Sequence, residues 1–306
     1  MVRAKSELVD GGTSVAMKPL IAVIGKNGRL GKALCKGLSD HFDVSPLGRQ
    51  EVDLEQPIGK QLQPLEFDLL INTAAATSVD WCEEHPPRAT RINFRAVTEL
   101  AQICAERKVR MLQVSTDYVF EGSKREPYHE DDIARPINVY GESKRLGEEA
   151  VLRSSSNNLV VRVSWVFGPE KPSFVDLMLN QAMTQQSVEA VDDKYSVPSY
   201  TADLLEWIRP CLFDKPLTGI VHLCNDGQCS WREFAQFAIE VADRERVALK
   251  TKTVQPVSLK SMTMFVARRP LYTVMSTEHF TNLTGIRPRP WQEAVEEFVV
   301  KKVRSI

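Results

Sequence analysis

Residues 20–34 read LIAVIGKNGRLGKAL, an apolar run followed by three glycines and the start of a helical pattern. The glycines Gly25, Gly28 and Gly31 are spaced three apart. Such glycines let a backbone turn tightly, approach a pyrophosphate and present the N–H groups of a helix N-terminus to it. Their spacing differs from the common fingerprint Gly-x-Gly-x2-Gly, and a glycine-rich turn can also simply join a strand to a helix. We interpret the stretch as a strand, a nucleotide-binding turn and a helix.

Short apolar runs alternate with helical patterns from residue 20 to residue 225. The strand candidates cover residues 20–25, 43–48, 67–74, 110–116, 159–165, 188–191 and 219–225. The clearest helical pattern covers residues 86–108, which open with proline and repeat apolar residues at three- and four-residue steps. Continuous apolar strands alternating with helices are typical of a parallel sheet covered on both faces. The sequence therefore predicts an α/β fold, doubly wound in the Rossmann manner.

The pattern changes after residue 225, where helices follow one another with little strand between them. These helix candidates cover residues 230–245, 276–285 and 289–303. We predict a dinucleotide-binding domain over 19–168, to which 188–224 return, and a smaller, mainly helical substrate lobe over 169–187 and 225–306. Residues 1–18 mix charge, glycine and serine without a signal-like apolar core, so we interpret them as a loose leader.

Composition narrows the class of partner. The 306 residues carry 39 basic and 40 acidic side chains, so no net field favours nucleic acid or an anionic membrane. The six cysteines form no Cys-x2-Cys pair and sit largely in apolar runs, which indicates buried thiols in a reducing cytoplasm. No run approaches the length of a membrane span. We expect a cytoplasmic protein that acts on a small molecule, with no predicted metal site.

The end of the second strand carries Gly48-Arg49-Gln50, where an NAD-binding fold usually places an acid for the ribose hydroxyls. A guanidinium suits a 2′-phosphate instead, so Arg49 favours NADPH, with NADH as the alternative cofactor. An ordinary surface arginine exposed to solvent would give the same sequence pattern. Asp53 and Leu54 could border an adenine, although an ordinary loop aspartate fits as well.

Two later strands end in residues suited to a ligand crevice. INTAAATSVD, residues 71–80, ends in small side chains that let a cofactor lie across the strand ends or pack a helix closely. QVSTDYVFEG, residues 113–122, ends in Ser115, Thr116 and Asp117. Hydroxyls at the carboxyl end of a strand point into the crevice where ligands bind, but serine and threonine also cap turns.

Residues 137–151, INVYGESKRLGEEAV, place Tyr140 and Lys144 four residues apart in a helical pattern. Positions i and i+4 share a helix face, so we expect the Lys144 ammonium beneath the Tyr140 phenol, where it would lower the phenol pKa. Gly141 and Gly147 cost helix propensity, which indicates close approach by a cofactor or a neighbouring element. Together with the glycine turn and the hydroxyls of the fourth strand, this spacing predicts a nicotinamide-dependent reductase.

The chain strongly resembles the extended short-chain dehydrogenase/reductase superfamily and, within it, the dTDP-4-dehydrorhamnose reductase family. The resemblance extends from Leu20 to the end of the chain. It rests on the order and spacing of STDYVFEG, PINVYGESKRLGE, VRVSWVFG, GIVHLCNDGQCSWREFA and ARRPLYTVMST.

The resemblance implies reduction of the 4-keto group of a dTDP-linked 6-deoxyhexulose, giving dTDP-L-rhamnose. Thr116, Tyr140 and Lys144 match the catalytic set: Tyr140 would give a proton to the developing alkoxide, Thr116 would bond that oxygen, and Lys144 would hold the nicotinamide ribose and keep the tyrosine acidic. The matching cofactor positions are Gly28, Arg29, Leu30, Asp53, Leu54, Ala75, Ala76 and Thr77, beside Gly25, Gly31, Arg49, Tyr140 and Lys144. The matching substrate positions are Thr116, Asp117 and Trp165. Without the resemblance, Trp165 would be assigned to the hydrophobic core, because a tryptophan at the end of a strand is more often a core residue than a ligand contact.

Departures from the family pattern concern the substrate. Residues 193–199 read DKYSVPS where relatives commonly have Asp-Gln-x-Gly-x-Pro-Thr, so that Lys194, Ser196 and Ser199 are replacements. Ser173 likewise precedes Phe174 where asparagine is usual. These segments line the sugar nucleotide in relatives, which makes the reductase chemistry a firmer expectation than the sugar or nucleotide.

Alternative functions stay open on the sequence. A dehydratase would need Asp-Glu after the threonine, whereas Asp117 is followed by Tyr118. A sugar-nucleotide epimerase is harder to exclude, although ARRP and CSWREFA fit the reductase better. A regulatory subunit similar to that of methionine adenosyltransferase would keep the cofactor fold without turnover. Homodimers are common in the superfamily, and we note that state as an option without a legible seam.

Overall fold

The computed structural model describes residues 18–304 of the chain. The predicted leader, except for Lys18, lies outside the described residues. The strands are β1 (Leu20–Ile24), β2 (Asp43–Leu47), β3 (Leu69–Asn72), β4 (Arg110–Thr116), β5 (Leu159–Val163), β6 (Val166–Phe167), β7 (Val188–Val191), β8 (Tyr195–Ser196), β9 (Ser199–Tyr200), β10 (Gly219–His222), β11 (Cys229–Ser230) and β12 (Val254–Val257).

The helices lie between and after these strands. They are α1 (Arg29–Leu38), α2 (Gly59–Leu62), α3 (Val79–Glu84), α4 (Pro86–Thr90), α5 (Ala96–Glu106), α6 (Val139–Ser154), α7 (Phe174–Thr184), α8 (Thr201–Ile208), α9 (Trp231–Arg244), α10 (Glu278–Thr284) and α11 (Trp291–Val303). A π-helical segment, Arg91–Arg95, joins α4 to α5, so the long helix predicted over 86–108 is present with this irregular middle.

The main sheet is parallel and has the strand order β10-β5-β4-β3-β1-β2. The chain moves outward from β1 to β2, then crosses to β3 on the other side of β1. This reversal forms a crevice at the carboxyl ends of β1 and β3, which is where ligands bind in open α/β sheets. The predicted doubly wound fold is confirmed.

Both faces of the sheet are covered because apolar side chains point alternately to each side. On β1, Ile21 and Val23 face a core with α1 and α8, while Ala22 and Ile24 face a second core with α5. All four residues are almost fully buried. An apolar residue at every position of β1 is therefore what a strand between two helical layers requires.

The second lobe is built around α9, on which α7 and α11 both pack. Both α7 and α9 begin with a capping box, in which Ser173 pairs with Asp176 and Ser230 pairs with Glu233. The predicted strand 188–191 is present as β7, but it pairs with β12 in this lobe rather than with the main sheet. Of the helices within residues 18–304, none combines the length and apolar character that crossing a membrane requires.

Candidate active site

A cleft of about 1260 Å³ opens at the carboxyl ends of β1, β3 and β4 and extends to the second lobe. Every residue that the sequence predicted for cofactor, catalysis or substrate lies in its lining. These are Gly25, Gly28, Arg29, Leu30, Gly31, Arg49, Asp53, Leu54, Ala75, Ala76, Thr77, Thr116, Asp117, Tyr140, Lys144 and Trp165. The topology therefore brings together segments that are far apart in the sequence.

The glycine turn follows β1 and leads directly into α1. Gly25 has φ +98°, and a Cβ there would lie 2.4 Å from Thr73 Oγ1 and 2.9 Å from the Ala74 backbone nitrogen. The turn is closed by the Gly28 N–H, which donates to the Gly25 carbonyl oxygen at 2.8 Å. Because α1 begins at Arg29, the first N–H groups of the helix have no partner within it and are available to an anion in the cleft.

The two arginines predicted to contact the cofactor differ in how they are held. Arg29 donates to the carbonyl oxygens of Val166 at 2.7 Å and Pro172 at 2.6 Å, tying the glycine turn to the segment that enters the second lobe. Arg49 keeps 72% of its side-chain surface exposed and pairs with Glu55 at 3.0 Å. Arg49, which also lies 3.8 Å from Asp53, is therefore the more exposed of the two arginines at the rim of the cleft.

The loop after β3 is fixed by Asn93, a residue in the π-helical segment. Its Oδ1 accepts from the Ala76 N–H at 2.8 Å, and its Nδ2 donates to the Ala76 carbonyl at 3.0 Å and to Ser143 Oγ at 3.0 Å. Asn93 is almost fully buried. One side chain thus joins the small-residue loop to α6, which carries Tyr140.

Helix α6 begins after Asn138, whose Oδ1 accepts from the Gly141 N–H at 2.8 Å. A Cβ on Gly141 would lie 2.2 Å from the Tyr118 carbonyl oxygen, and one on Gly147 would lie 2.5 Å from the Asn93 carbonyl oxygen. The two glycines therefore let α6 approach neighbouring protein segments closely, one of the two reasons expected from the sequence.

Tyr140 and Lys144 both lie in the cleft, but their electrostatics differ from the expectation. The Lys144 ammonium donates to the Val114 carbonyl oxygen at 2.6 Å. Burial raises the pKa of Tyr140, against a hydrogen bond with Thr116. Burial lowers the pKa of Lys144 to about 8, against the opposing effect of Glu148. The prediction that Lys144 lowers the Tyr140 pKa is wrong for this structure, because burial dominates and the ammonium is bound elsewhere.

A chain of polar side chains runs inward from Tyr140. Thr116 bonds the Tyr140 phenol and lies 3.1 Å from Asp117 Oδ1, to which its hydroxyl donates. Asp117 is only 2% exposed and also accepts from Ser196 Oγ at 3.1 Å and from Thr273 Oγ1. Its carboxylate therefore anchors three hydroxyl groups, and its side chain is engaged inside the protein.

Trp165 borders the cleft beside an aromatic wall formed by Phe174, Trp231 and Phe234. Its ring is stacked on Phe234 with centroids 6.3 Å apart, and its backbone adopts φ +41°, which is strained for tryptophan. The buried Trp165 Nε1 and Ser115 Oγ lack hydrogen-bond partners within the described residues. Two unsatisfied donors at a cleft are groups that a polar ligand would complete.

The match to a known protein family covers nearly the same residues as the structure describes. The family model described as RmlD substrate binding domain matches residues 17–304. The chain belongs to this family.

The chain is also similar to individual bacterial proteins. The spore coat polysaccharide biosynthesis protein SpsK of Bacillus subtilis is 35% identical over 285 residues, 92% of this chain and 97% of the relative. The dTDP-4-dehydrorhamnose reductase of Sinorhizobium fredii is 32% identical over 287 residues, with coverage of 91% and 96%. The crystal structure of dTDP-4-dehydrorhamnose reductase from Bacillus anthracis in complex with NADP has TM-score 0.85 at 30% identity and covers 93% of this chain and all of that one. The family predicted from the sequence is confirmed.

The departures from the common family pattern surround the inner end of the cleft. Ser196 bonds Asp117, and Ser199 Oγ lies within hydrogen-bond distance of the Ser164 N–H at 3.3 Å. Lys194 is fully buried with its Nζ 2.7 Å from the Pro270 carbonyl oxygen. Ser173 caps α7 and so has a structural partner in Asp176. The first three replacements thus lie behind the catalytic candidates rather than on the outer rim.

Several residues that shape this site were not identified from the sequence. Asn93 gives no local signal, because a single asparagine in a helical pattern is unremarkable until its distant partners are known. The same holds for Trp231 and Phe234, whose helical spacing indicates only a core-facing stripe. Ser115 was visible as a hydroxyl at the end of β4, but its lack of a partner required the coordinates.

Proposed function

We propose that the protein is a dTDP-4-dehydrorhamnose reductase, which uses NADPH to reduce the 4-keto group of a dTDP-linked 6-deoxyhexulose to dTDP-L-rhamnose. The observation that carries the proposal is that Thr116, Tyr140 and Lys144 line the same cleft as the glycine turn in a member of this family. NADH is the alternative cofactor.

The hydrogen-bond donors that line the cleft fit a dinucleotide. The unpartnered N–H groups at the start of α1 suit the pyrophosphate, and Arg49 at the rim suits a 2′-phosphate. The orphaned Ser115 hydroxyl lies farther in, beside Thr116. A nicotinamide dinucleotide held by these residues would supply the hydride for the keto carbon.

Tyr140 holds the proton that the reaction needs. Because burial raises its pKa, the phenol keeps its proton at neutral pH until the alkoxide develops. An alkoxide is a stronger base than a phenolate, so transfer from Tyr140 to the substrate oxygen runs downhill. Thr116 orients the phenol through the hydrogen bond between them. Lys144, whose ammonium is held by the Val114 carbonyl oxygen, would hold the nicotinamide ribose.

The second lobe provides the substrate side of the cleft. We propose that the aromatic wall of Phe174, Trp231 and Phe234 accommodates the nucleotide of the sugar nucleotide and that Trp165 and Asp117 border the sugar. Flat aromatic faces bind nucleobases by stacking, and this contact does not depend on which hydrogen-bond donors the base carries. We also propose a division of the chain into a cofactor domain and this lobe, with β7 in the lobe rather than in the cofactor domain, and a cytoplasmic location in keeping with six free thiols.

The direct test is the fate of a labelled hydride. The protein is incubated with NADPH deuterated at nicotinamide C4 and with the 4-keto sugar nucleotide generated in situ, and the product is analysed by NMR. We expect dTDP-L-rhamnose with deuterium at sugar C4. An epimerase would instead interconvert sugars without net NADPH consumption, and a regulatory subunit would bind NADPH without any turnover. Either result would exclude the proposed function.

A further inference from the structure

Glu55 lies between two arginines at the rim of the cleft. Its Oε1 accepts from Arg49 Nη2 at 3.0 Å and from Arg88 Nη2 at 2.9 Å. Its Oε2 accepts from Arg88 Nε at 3.2 Å. All three residues belong to the lining of the cleft, Arg49 and Glu55 from the loop after β2 and Arg88 from α4. One carboxylate therefore holds two guanidinium groups at the rim.

Arg88 is also held by a contact that does not involve Glu55. Its guanidinium carbon lies 5.1 Å from the centroid of the Trp81 ring, within the range of a cation–π interaction. Trp81 is itself stacked on His85, with ring centroids 4.8 Å apart. The bonds from Arg88 to Glu55 use Nε and Nη2 and leave Nη1 to another acceptor. Arg88 is thus placed at the rim with a donor to spare.

The loop that carries Glu55 is shaped by backbone contacts of this residue rather than by its carboxylate. The Glu55 N–H donates to Asp53 Oδ1 at 3.0 Å, and the Glu55 carbonyl oxygen accepts from Arg91 Nε at 3.2 Å. Both contacts are possible for a glutamine at this position. Arg49 and Arg88 keep 72% and 53% of their side-chain surface exposed, and ion pairs that are so exposed contribute little to stability. The main effect of the Glu55 charge is therefore on an anion that approaches the same arginines.

The 2′-phosphate of NADPH is such an anion. A phosphate monoester carries about −1.5 to −2 charges at pH 7, and guanidinium groups match its geometry. Glu55 already occupies donors of both arginines, and its negative charge repels a second anion beside it. NADH has only a hydroxyl at the 2′ position, so it carries no charge there for Glu55 to repel.

We propose that Glu55 is a specificity-determining residue, which competes with the 2′-phosphate of NADPH for Arg49 and Arg88. In this way it lowers the preference of the protein for NADPH over NADH. Arg88 is assigned to the same phosphate site as Arg49. The inference rests on the proposed function, which places the adenosine end of the cofactor at this rim.

The first test compares the dissociation constants of NADPH and NADH for the wild type, Glu55→Gln and Arg88→Ala, by calorimetric titration without sugar nucleotide. Glu55→Gln should bind NADPH about tenfold more tightly, because a like charge beside the phosphate is removed. Arg88→Ala should bind NADPH about tenfold more weakly, because a charge-assisted hydrogen bond is lost. Both variants should bind NADH with nearly wild-type affinity.

Glu149→Gln is the matched control for the loss of a carboxylate. Glu149 also pairs with two arginines, Arg145 and Arg153, but it does not line the cleft. Its replacement should change neither dissociation constant.

The second test is the ionic-strength dependence of the gain in Glu55→Gln. The Debye length falls from about 10 Å at 0.1 M salt to about 3 Å at 1 M, so repulsion between exposed charges is screened. The tenfold gain for NADPH should therefore fall to about twofold or less at 1 M salt, whereas the effect of a changed loop shape would persist. Adenosine 2′,5′-bisphosphate and 5′-AMP repeat the comparison with the adenosine half of the cofactor alone.

Four results would overturn the inference. Glu55→Gln could change the affinities for both cofactors equally or leave both unchanged. It could bind NADPH more weakly, which would show that the carboxylate orients the arginines for the phosphate. Its gain could persist at 1 M salt, or Arg88→Ala could bind NADPH as the wild type does. Each of these leaves the proposed reduction standing, whereas a wild type that binds neither cofactor would refute the proposed function as well.

Discussion

The side-chain amide of Asn93 forms two hydrogen bonds with the backbone of Ala76, accepting from its N–H at 2.8 Å and donating to its carbonyl at 3.0 Å. The pair fixes the loop across the carboxyl end of β3, where a cofactor must lie. A third bond, to Ser143 Oγ, ties the same side chain to α6. The geometry of loop and catalytic helix thus depends on one buried amide.

Asn93→Ala should destabilise the protein by about 2–4 kcal/mol, because it leaves two partly buried backbone groups of Ala76 without partners and empties a buried side-chain site. It should also weaken NADPH binding, since the loop after β3 loses its fixed position. Urea unfolding and calorimetric titration measure the two effects. Asn157→Ala, at an exposed asparagine, is the control and should change stability by less than about 0.5 kcal/mol. If Asn93→Ala bound NADPH with unchanged affinity, the loop after β3 would not belong to the cofactor site.

Gly25→Ala should abolish NADPH binding and lower stability. The alanine would be forced to adopt φ +98° with its Cβ 2.4 Å from Thr73 Oγ1, which costs at least about 1–3 kcal/mol. Gly59→Ala is a matched control, because a Cβ at that first residue of α2 meets nothing within 4 Å. Differential scanning calorimetry with and without NADPH measures both. Binding by Gly25→Ala with wild-type affinity would contradict the assignment of the turn.

Arg49→Ala should lower kcat/KM with NADPH by about tenfold and leave kcat/KM with NADH nearly unchanged, because only NADPH carries the 2′-phosphate. Initial rates with each cofactor give the ratio. Arg153→Ala removes a similarly exposed arginine that does not line the cleft and should change neither rate. Equal losses with both cofactors would show that Arg49 does not read the phosphate.

Lys144→Met should increase stability at neutral pH while reducing activity by about a hundredfold or more. Burial lowers the Lys144 pKa from its ordinary 10.5 to about 8, so below pH 8 the folded state bears the cost of a buried charge. Between about pH 8 and pH 10.5 the folded state releases its proton before the unfolded state, and wild-type stability rises. The advantage of Lys144→Met, up to about 3 kcal/mol at pH 7, should therefore shrink over this window. Urea unfolding at several pH values measures it, and an advantage independent of pH would refute the account.

The local sequence pattern was sufficient to predict part of this fold. The run 20–34 carries its strand, turn and helix in one stretch, and Tyr140 and Lys144 share a face because helix geometry requires it. Pairing partners are not local, which is why β7 reads as a further strand of the main sheet although it joins β12. Burial is not local either: the expected Lys144 effect on Tyr140 failed because Val114 binds the ammonium and burial raises the Tyr140 pKa. The contact of Asp117 with Thr273 spans 156 residues and has no signature in either segment.

In the proposed NADPH-dependent reduction, Tyr140 gives the proton to the substrate oxygen. Loss of nicotinamide absorbance is followed with the 4-keto sugar nucleotide generated in situ, for the wild type, Tyr140→Phe and the control Tyr272→Phe, whose hydroxyl bonds Gln228 outside the cleft. We predict rapid oxidation by the wild type and Tyr272→Phe, and a loss of about a hundredfold or more in Tyr140→Phe. Oxidation by Tyr140→Phe at the wild-type rate, or none by a wild type that binds NADPH, would contradict the claim.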